Sequence, residues 1–216
     1  MNRTSSIVAM QFDDSEQQHS AALLGMWIFL ATEVLFFGGL FVAYTVYRYE
    51  YSDAFAEGSE HLAIWSGAVM TGLLLMGSLL IALSENVFER DHMHRVFWNL
   101  ISTAVLGILF LSFEFYEYHD LIKHQLFPGA AFHWPEKQST PLSGRSVEIY
   151  FVLFFCMTGL HALHMIIGIS LVSGLAFYLR YSKNPRRLKN PLTVIGLYWH
   201  FVDIIWIFLF PLFYLI

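Results

Sequence analysis

The chain has 216 residues, of which 56% are hydrophobic, 18% aromatic and only 13% charged, with a mean hydropathy of +0.54. Soluble domains carry about 25% charged residues, so a deficit spread along the whole chain excludes an ordinary soluble enzyme and points to lipid as the solvent. The net charge is −5 with no long basic tract, which speaks against nucleic acid as a partner, and a lone Cys156 inside an apolar run excludes an intrachain disulfide.

Residues 1–20 read as a polar cytoplasmic N-terminal segment, with no charged, apolar and small-residue order of a removable signal peptide. Residues 21–216 then read as one all-α domain, a polytopic membrane bundle of five transmembrane helices. The apolar runs predict helices over about 21–48, 62–88, 96–122, 147–180 and 192–216. Each exceeds the roughly 20 residues needed to cross a bilayer core. The runs are continuous and do not alternate, which predicts helices over membrane strands. The first connection, 49–61, is an acidic loop with Glu50, Asp53, Glu57 and Glu60. The third, 123–146, holds three Pro and two Gly and predicts an extramembrane loop. Gly67, Gly72 and Gly77, Gly38 with Gly39, and Gly168 with Gly174 are candidate points of close helix approach.

Loop charge predicts the orientation. Arg3, Arg90, Arg95, Arg180, Lys183, Arg186, Arg187 and Lys189 share one side; Arg48, Lys123, Lys137 and Arg145 share the other. The richer side is the inner one, so the N-terminus is expected inside and the C-terminus outside.

Charged side chains within a bilayer are costly and need a reason. Glu33 lies about twelve residues into the first predicted helix, roughly 18 Å deep. Glu114 and Glu117, His161 and His164, and His200 and Asp203 are each three apart, which puts each pair on one helix face. Two readings of the pairs stand side by side. Inward Glu and His at such spacing build di-metal centres in bundles, yet no Glu-x-x-His occurs inside any of the five predicted spans. The plainer reading is a set of hydrogen-bonded contacts that fix helix register, with hydroxyls such as Thr158 as partners. Glu33 likewise reads either as a proton carrier or as a neutral polar contact. No Cys-x-x-Cys-His for covalent haem is present.

The stretches GMWIFLATEVLFFGGLFVAY (25–44), SFEFYEY (112–118), MTGLHALHMIIG (157–168) and LYWHFVDIIWIFLF (197–210) resemble subunit III of haem-copper terminal oxidases, the cytochrome c oxidase subunit III family. The resemblance covers nearly the whole chain and matches the last five helices of the seven in long members. It implies a non-redox subunit of a proton-translocating cytochrome c oxidase in a bacterial cytoplasmic membrane. Such a subunit packs on subunit I, alongside subunit II and small subunits, with cytochrome c or another donor serving the complex. It implies no metal or redox cofactor in this chain, haem and copper in partner subunits, and structural phospholipids. Glu33 matches the family's carbodiimide-reactive buried carboxylate, discussed for proton uptake. Glu114, His161, His164, His200 and Asp203 match buried polar positions, Glu117 is a further buried polar candidate, and Arg180, Glu33 and Trp27 are expected at bound lipid. His92 and His94 with Glu85, Glu89 and Asp91 offer a proton-collecting surface, or an ordinary solvated loop. Subunit III of a quinol oxidase, a nitric oxide reductase accessory protein of the same fold, and an independent membrane metalloprotein are the alternatives.

Overall fold

The computed structural model describes residues 14–130, 132–134, 144–182 and 184–216. Arg3, Lys137 and Lys183, three of the cations used to assign orientation, lie outside the described residues, as do residues 1–13 and 135–143 of the predicted N-terminal segment and long loop.

Among the described residues six α-helices follow one another: α1 Ser15–Glu50, α2 Ser52–Ser59, α3 Ile64–Glu89, α4 Met93–Lys123, α5 Gly144–Tyr181 and α6 Lys189–Tyr214. Five are long and apolar enough to cross a membrane, which bears out the all-α, five-span reading. α1 begins before its apolar run because the Asp14 side chain accepts the Gln17 backbone N–H at 2.7 Å and so caps the first turn. A 3₁₀ turn, Pro185–Leu188, leads into α6.

The acidic stretch 49–61 is not a plain loop. It contains α2, whose Ala54 and Phe55 are fully buried. A Cβ at Gly58 would stand 2.5 Å from the Tyr150 ring, so only glycine lets α2 lie this close to α5. The acidic side chains mask a short amphipathic helix in the sequence.

α3 packs on α4 and α6, α4 on α5, and α5 on α6, while α1 leans on α6 and α5. At the centre, Trp199 and Trp206 of α6 are almost completely buried. Glycines on three helices make room for the Trp199 indole. Added Cβ atoms would stand 3.4 Å from it at Gly77, 2.9 Å at Gly107 and 3.5 Å at Gly168. Gly67 similarly admits Phe210, whereas Gly38, Gly39, Gly72 and Gly174 have nothing within 4 Å and do not mark close approaches. The spacing of small residues alone does not say which face meets a neighbour.

Pro211 lies inside α6, and the last carbonyls of that helix have no intrahelical donor. Tyr44 of α1 donates to Leu212 O, and Tyr150 of α5 donates to Phe213 O at 2.9 Å. Both hydroxyls tie their helices to the end of α6. At the opposite end of the bundle, Arg186 meets Asp91 at 2.5 Å and Lys189 meets Glu89 at 3.0 Å. These pairs join the α3–α4 turn to the α5–α6 turn. Two of the three acids of the candidate proton-collecting surface are therefore bonded to cations, and His94 accepts from Trp98 Nε1 at 3.1 Å.

Candidate functional site

The buried stripe of α1 consists of Leu30, Phe37 and Tyr44, spaced by seven, two helical turns. Glu33 lies on the same face, one turn from Leu30 and from Phe37. It therefore projects into the joint between α1 and the rest of the bundle. Its Oε2 stands 3.3 Å from His164 Nε2 of α5, with side-chain exposures of 19% for Glu33 and 13% for His164. Glu33 is thus a paired carboxyl at a helix joint.

The hydrogen bonds define the proton inventory of that contact. His164 Nδ1 lies 2.8 Å from the Leu160 carbonyl. A carbonyl only accepts, so Nδ1 carries a proton. In the neutral ring Nε2 is then bare, and bonding it to Glu33 needs one further proton held between carboxyl and imidazole. Aromatic rings shield the pair: Phe37 packs edge-on against His164 with centroids 5.5 Å apart, and Tyr198 stacks on it at 6.5 Å. Tyr198 also donates to His164 O at 3.1 Å.

His161, one turn earlier, points elsewhere. It is fully buried with neither ring nitrogen hydrogen-bonded to protein. Its ring lies between Phe110 and Trp206, at 5.5 and 5.3 Å. The expected service of Thr158 to a histidine is not found: Thr158 Oγ1 lies 2.6 Å from Tyr118 Oη and donates to Phe154 O at 2.7 Å. His161 and His164 therefore belong to different environments despite their shared spacing.

Glu114 and Glu117 occupy the α2 end of the bundle. Buried Glu114 accepts from Tyr118 Oη at 3.1 Å, and its Oε2 has no partner in the protein. Glu117 accepts from Tyr214 Oη and, at 3.4 Å, from Ser66 Oγ. His200 Nδ1 lies 2.5 Å from Ser78 Oγ, and buried Asp203 keeps Oδ1 without a protein partner. Among the described residues no three His, Cys, Asp or Glu side chains converge as a di-metal centre would require. The hydroxyl partners Ser66, Ser78, Tyr118, Tyr198 and Tyr214 went unread in the sequence. Tyr118 alone carries a local signal, since it follows Glu114 by four.

Of the residues expected at lipid, Trp27 is 59% exposed on α1 and Arg180 is exposed at the end of α5 that lies away from α2. Both face outward from the bundle. Glu33 faces inward, and its partner is His164.

The described residues thus define a class, a five-span membrane bundle with a shielded carboxyl–imidazole contact where α1 meets α5. Residues 136–216 match the family model of cytochrome c oxidase subunit III. The chain is 30% identical to the cytochrome c oxidase subunit 3 of Thermostichus vulcanus over 96% of this chain and 94% of that one. It is 28% identical to the quinol oxidase subunit 3 of Bacillus subtilis, over 89% of this chain and 86% of that one. It is also 27% identical, over 88% of its length, to 22% of the haem-copper oxidase subunit I+III of Aeropyrum pernix. This chain belongs to the cytochrome c oxidase subunit III family, the subunit III of haem-copper oxidases. The resemblance read in the sequence is borne out.

Proposed function

We propose that this chain is the non-redox subunit III of a cytochrome c oxidase in a bacterial cytoplasmic membrane, with its N-terminus inside. It packs on subunit I, holds phospholipid and sustains proton uptake while haem and copper of its partners reduce dioxygen to water. The observation that carries the reading is the match to a cytochrome c oxidase subunit 3 over nearly the full length of both chains. Subunit I as the neighbour is supported by the Aeropyrum pernix relative, named subunit I+III, in which one polypeptide carries both names. The proton role is supported by the Glu33–His164 contact, which sets a carboxyl oxygen 3.3 Å from an imidazole nitrogen in a shielded joint. Lipid binding is supported by the outward placement of Trp27 and Arg180, since a guanidinium suits a lipid phosphate.

A second reading has its own observation. Relatives named quinol oxidase subunit 3 align over 89% of this chain at 27% and 28% identity. Oxygen consumption by the purified complex separates the two. Turnover with reduced cytochrome c and none with a short-chain quinol is expected; turnover with quinol alone would assign the chain to a quinol oxidase.

A further inference from the structure

A cleft of about 370 Å³ opens between the start of α3 and the last turns of α4, at the end of the bundle that carries α2. No residue of α1 lines it, so it is distinct from the Glu33 joint. Its size falls in the range of small-molecule sites, roughly 300–1,000 Å³. Its walls are apolar and aromatic, with Trp65, Phe113, Tyr116 and Leu121, and its polar lining includes Glu117 and Asp120. No Lys or Arg lines it.

The acids decide what the cleft takes. Glu117 is half-buried and accepts from two hydroxyls, Ser66 and Tyr214. A carboxylate has about four acceptor positions, so it can take further donors. Asp120, three residues on and therefore on the same helix face, is exposed at the rim and faces His124 at 3.7 Å. A head with negative charge alone would meet two carboxylates, with His61 the one basic side chain in the lining. A head that brings N–H donors and positive charge completes both acids. Trp65 and Tyr116, 66% and 72% exposed, present aromatic faces that attract an ammonium and suit the membrane interface. A bare metal ion is the poorer fit, since no three ligating side chains converge among the described residues. The apolar lining calls for a chain attached to that ammonium.

We propose that this cleft binds an ethanolamine phospholipid, its primary ammonium donating to Glu117 and Asp120 and one acyl chain lying against Phe113 and Leu121. The proposal rests on the lipid-holding part of the proposed function and gives it a place and a head-group class.

Titration of the detergent-purified complex, read by native mass spectrometry, tests it. The probes are dihexanoyl phosphatidylethanolamine, the matching choline and glycerol lipids, and free ethanolamine. The ethanolamine lipid is expected to bind about tenfold more tightly than the choline lipid, which keeps the charge but has no N–H, in line with a charge-assisted hydrogen bond. The glycerol lipid and free ethanolamine are expected to bind more weakly still. Glu117→Gln and Asp120→Asn are each expected to lower affinity for the ethanolamine lipid about tenfold. Asp120 is exposed, so its variant keeps the test alive if the Glu117 variant does not assemble. Ethanolamine-lipid affinity within twofold of the parent in the assembled acid variants would overturn the proposal. So would a glycerol lipid that binds as tightly, or free ethanolamine that matches its lipid. The readout is bound lipid and not turnover, so an error in the oxidase type leaves it untouched. Loss of ethanolamine selectivity with lipid still bound elsewhere would overturn the cleft alone.

Discussion

Glu33 Oε2 and His164 Nε2 face each other across 3.3 Å. Glu33→Gln keeps a donor toward Nε2 but removes the exchangeable acid. It is expected to leave α1 docked and the thermal midpoint near that of the parent, while proton uptake by the complex falls. Glu33→Leu leaves His164 Nε2 without its carboxyl partner and is expected to cost about 1–3 kcal/mol, visible as a lower midpoint or as proteolysis of a loosened α1. Equal midpoints for the two variants would show that the contact does not hold the joint. Gly107 poses a packing test. A Cβ there would stand 2.8 Å from Ile169 and 2.9 Å from Trp199, both confined. Gly107→Ala is expected to cost about 1–3 kcal/mol by overpacking, whereas Gly72→Ala, with open space around it, is expected to be neutral or slightly stabilising in a thermal melt.

The long helices were legible because lipid imposes a length and an apolar composition that five runs satisfy. α2 was not legible. Its eight residues, Ser52–Ser59, contain two acids, and only the tertiary contacts of Phe55 and Gly58 reveal a buried face. The candidate acids were legible as costly charges, but their partners were not. Spacing places His161 and His164 on one face, yet a face of a buried helix can touch two neighbours, and here the rings part toward α6 and α1. The hydroxyl partners of Glu117 come from α3 and α6, far away in sequence. The α3–α4 turn reads in the sequence as a proton-collecting surface or an ordinary solvated loop, and two of its acids prove to be paired with cations. Arg186 beside Asp91 holds its carboxyl below the usual value. A depressed folded value means that the pair's contribution is present above the ordinary carboxylate value of about 4 and is lost as pH falls through the lowered one. The pair is exposed and so screened by salt. Arg186→Ala is expected to return Asp91 to the ordinary carboxylate range, measured by NMR titration; an unchanged value would remove the Arg186–Asp91 link.

As a whole the molecule is asymmetric. The most apolar window of the last span is 56% buried, whereas that of α1 is 11% buried. α1 is held along one narrow stripe and shows Leu35, Val42 and Val46 outward. Such a helix faces lipid or another subunit over most of its surface. In the proposed complex this face meets subunit I and phospholipid. Affinity purification through a tag on this chain, from native membranes in mild detergent, tests that central claim most directly through the reduced-minus-oxidised spectrum. Haem absorption bands of a haem-copper oxidase that co-purify in fixed ratio with the chain are expected. A colourless preparation holding this chain alone would contradict the account.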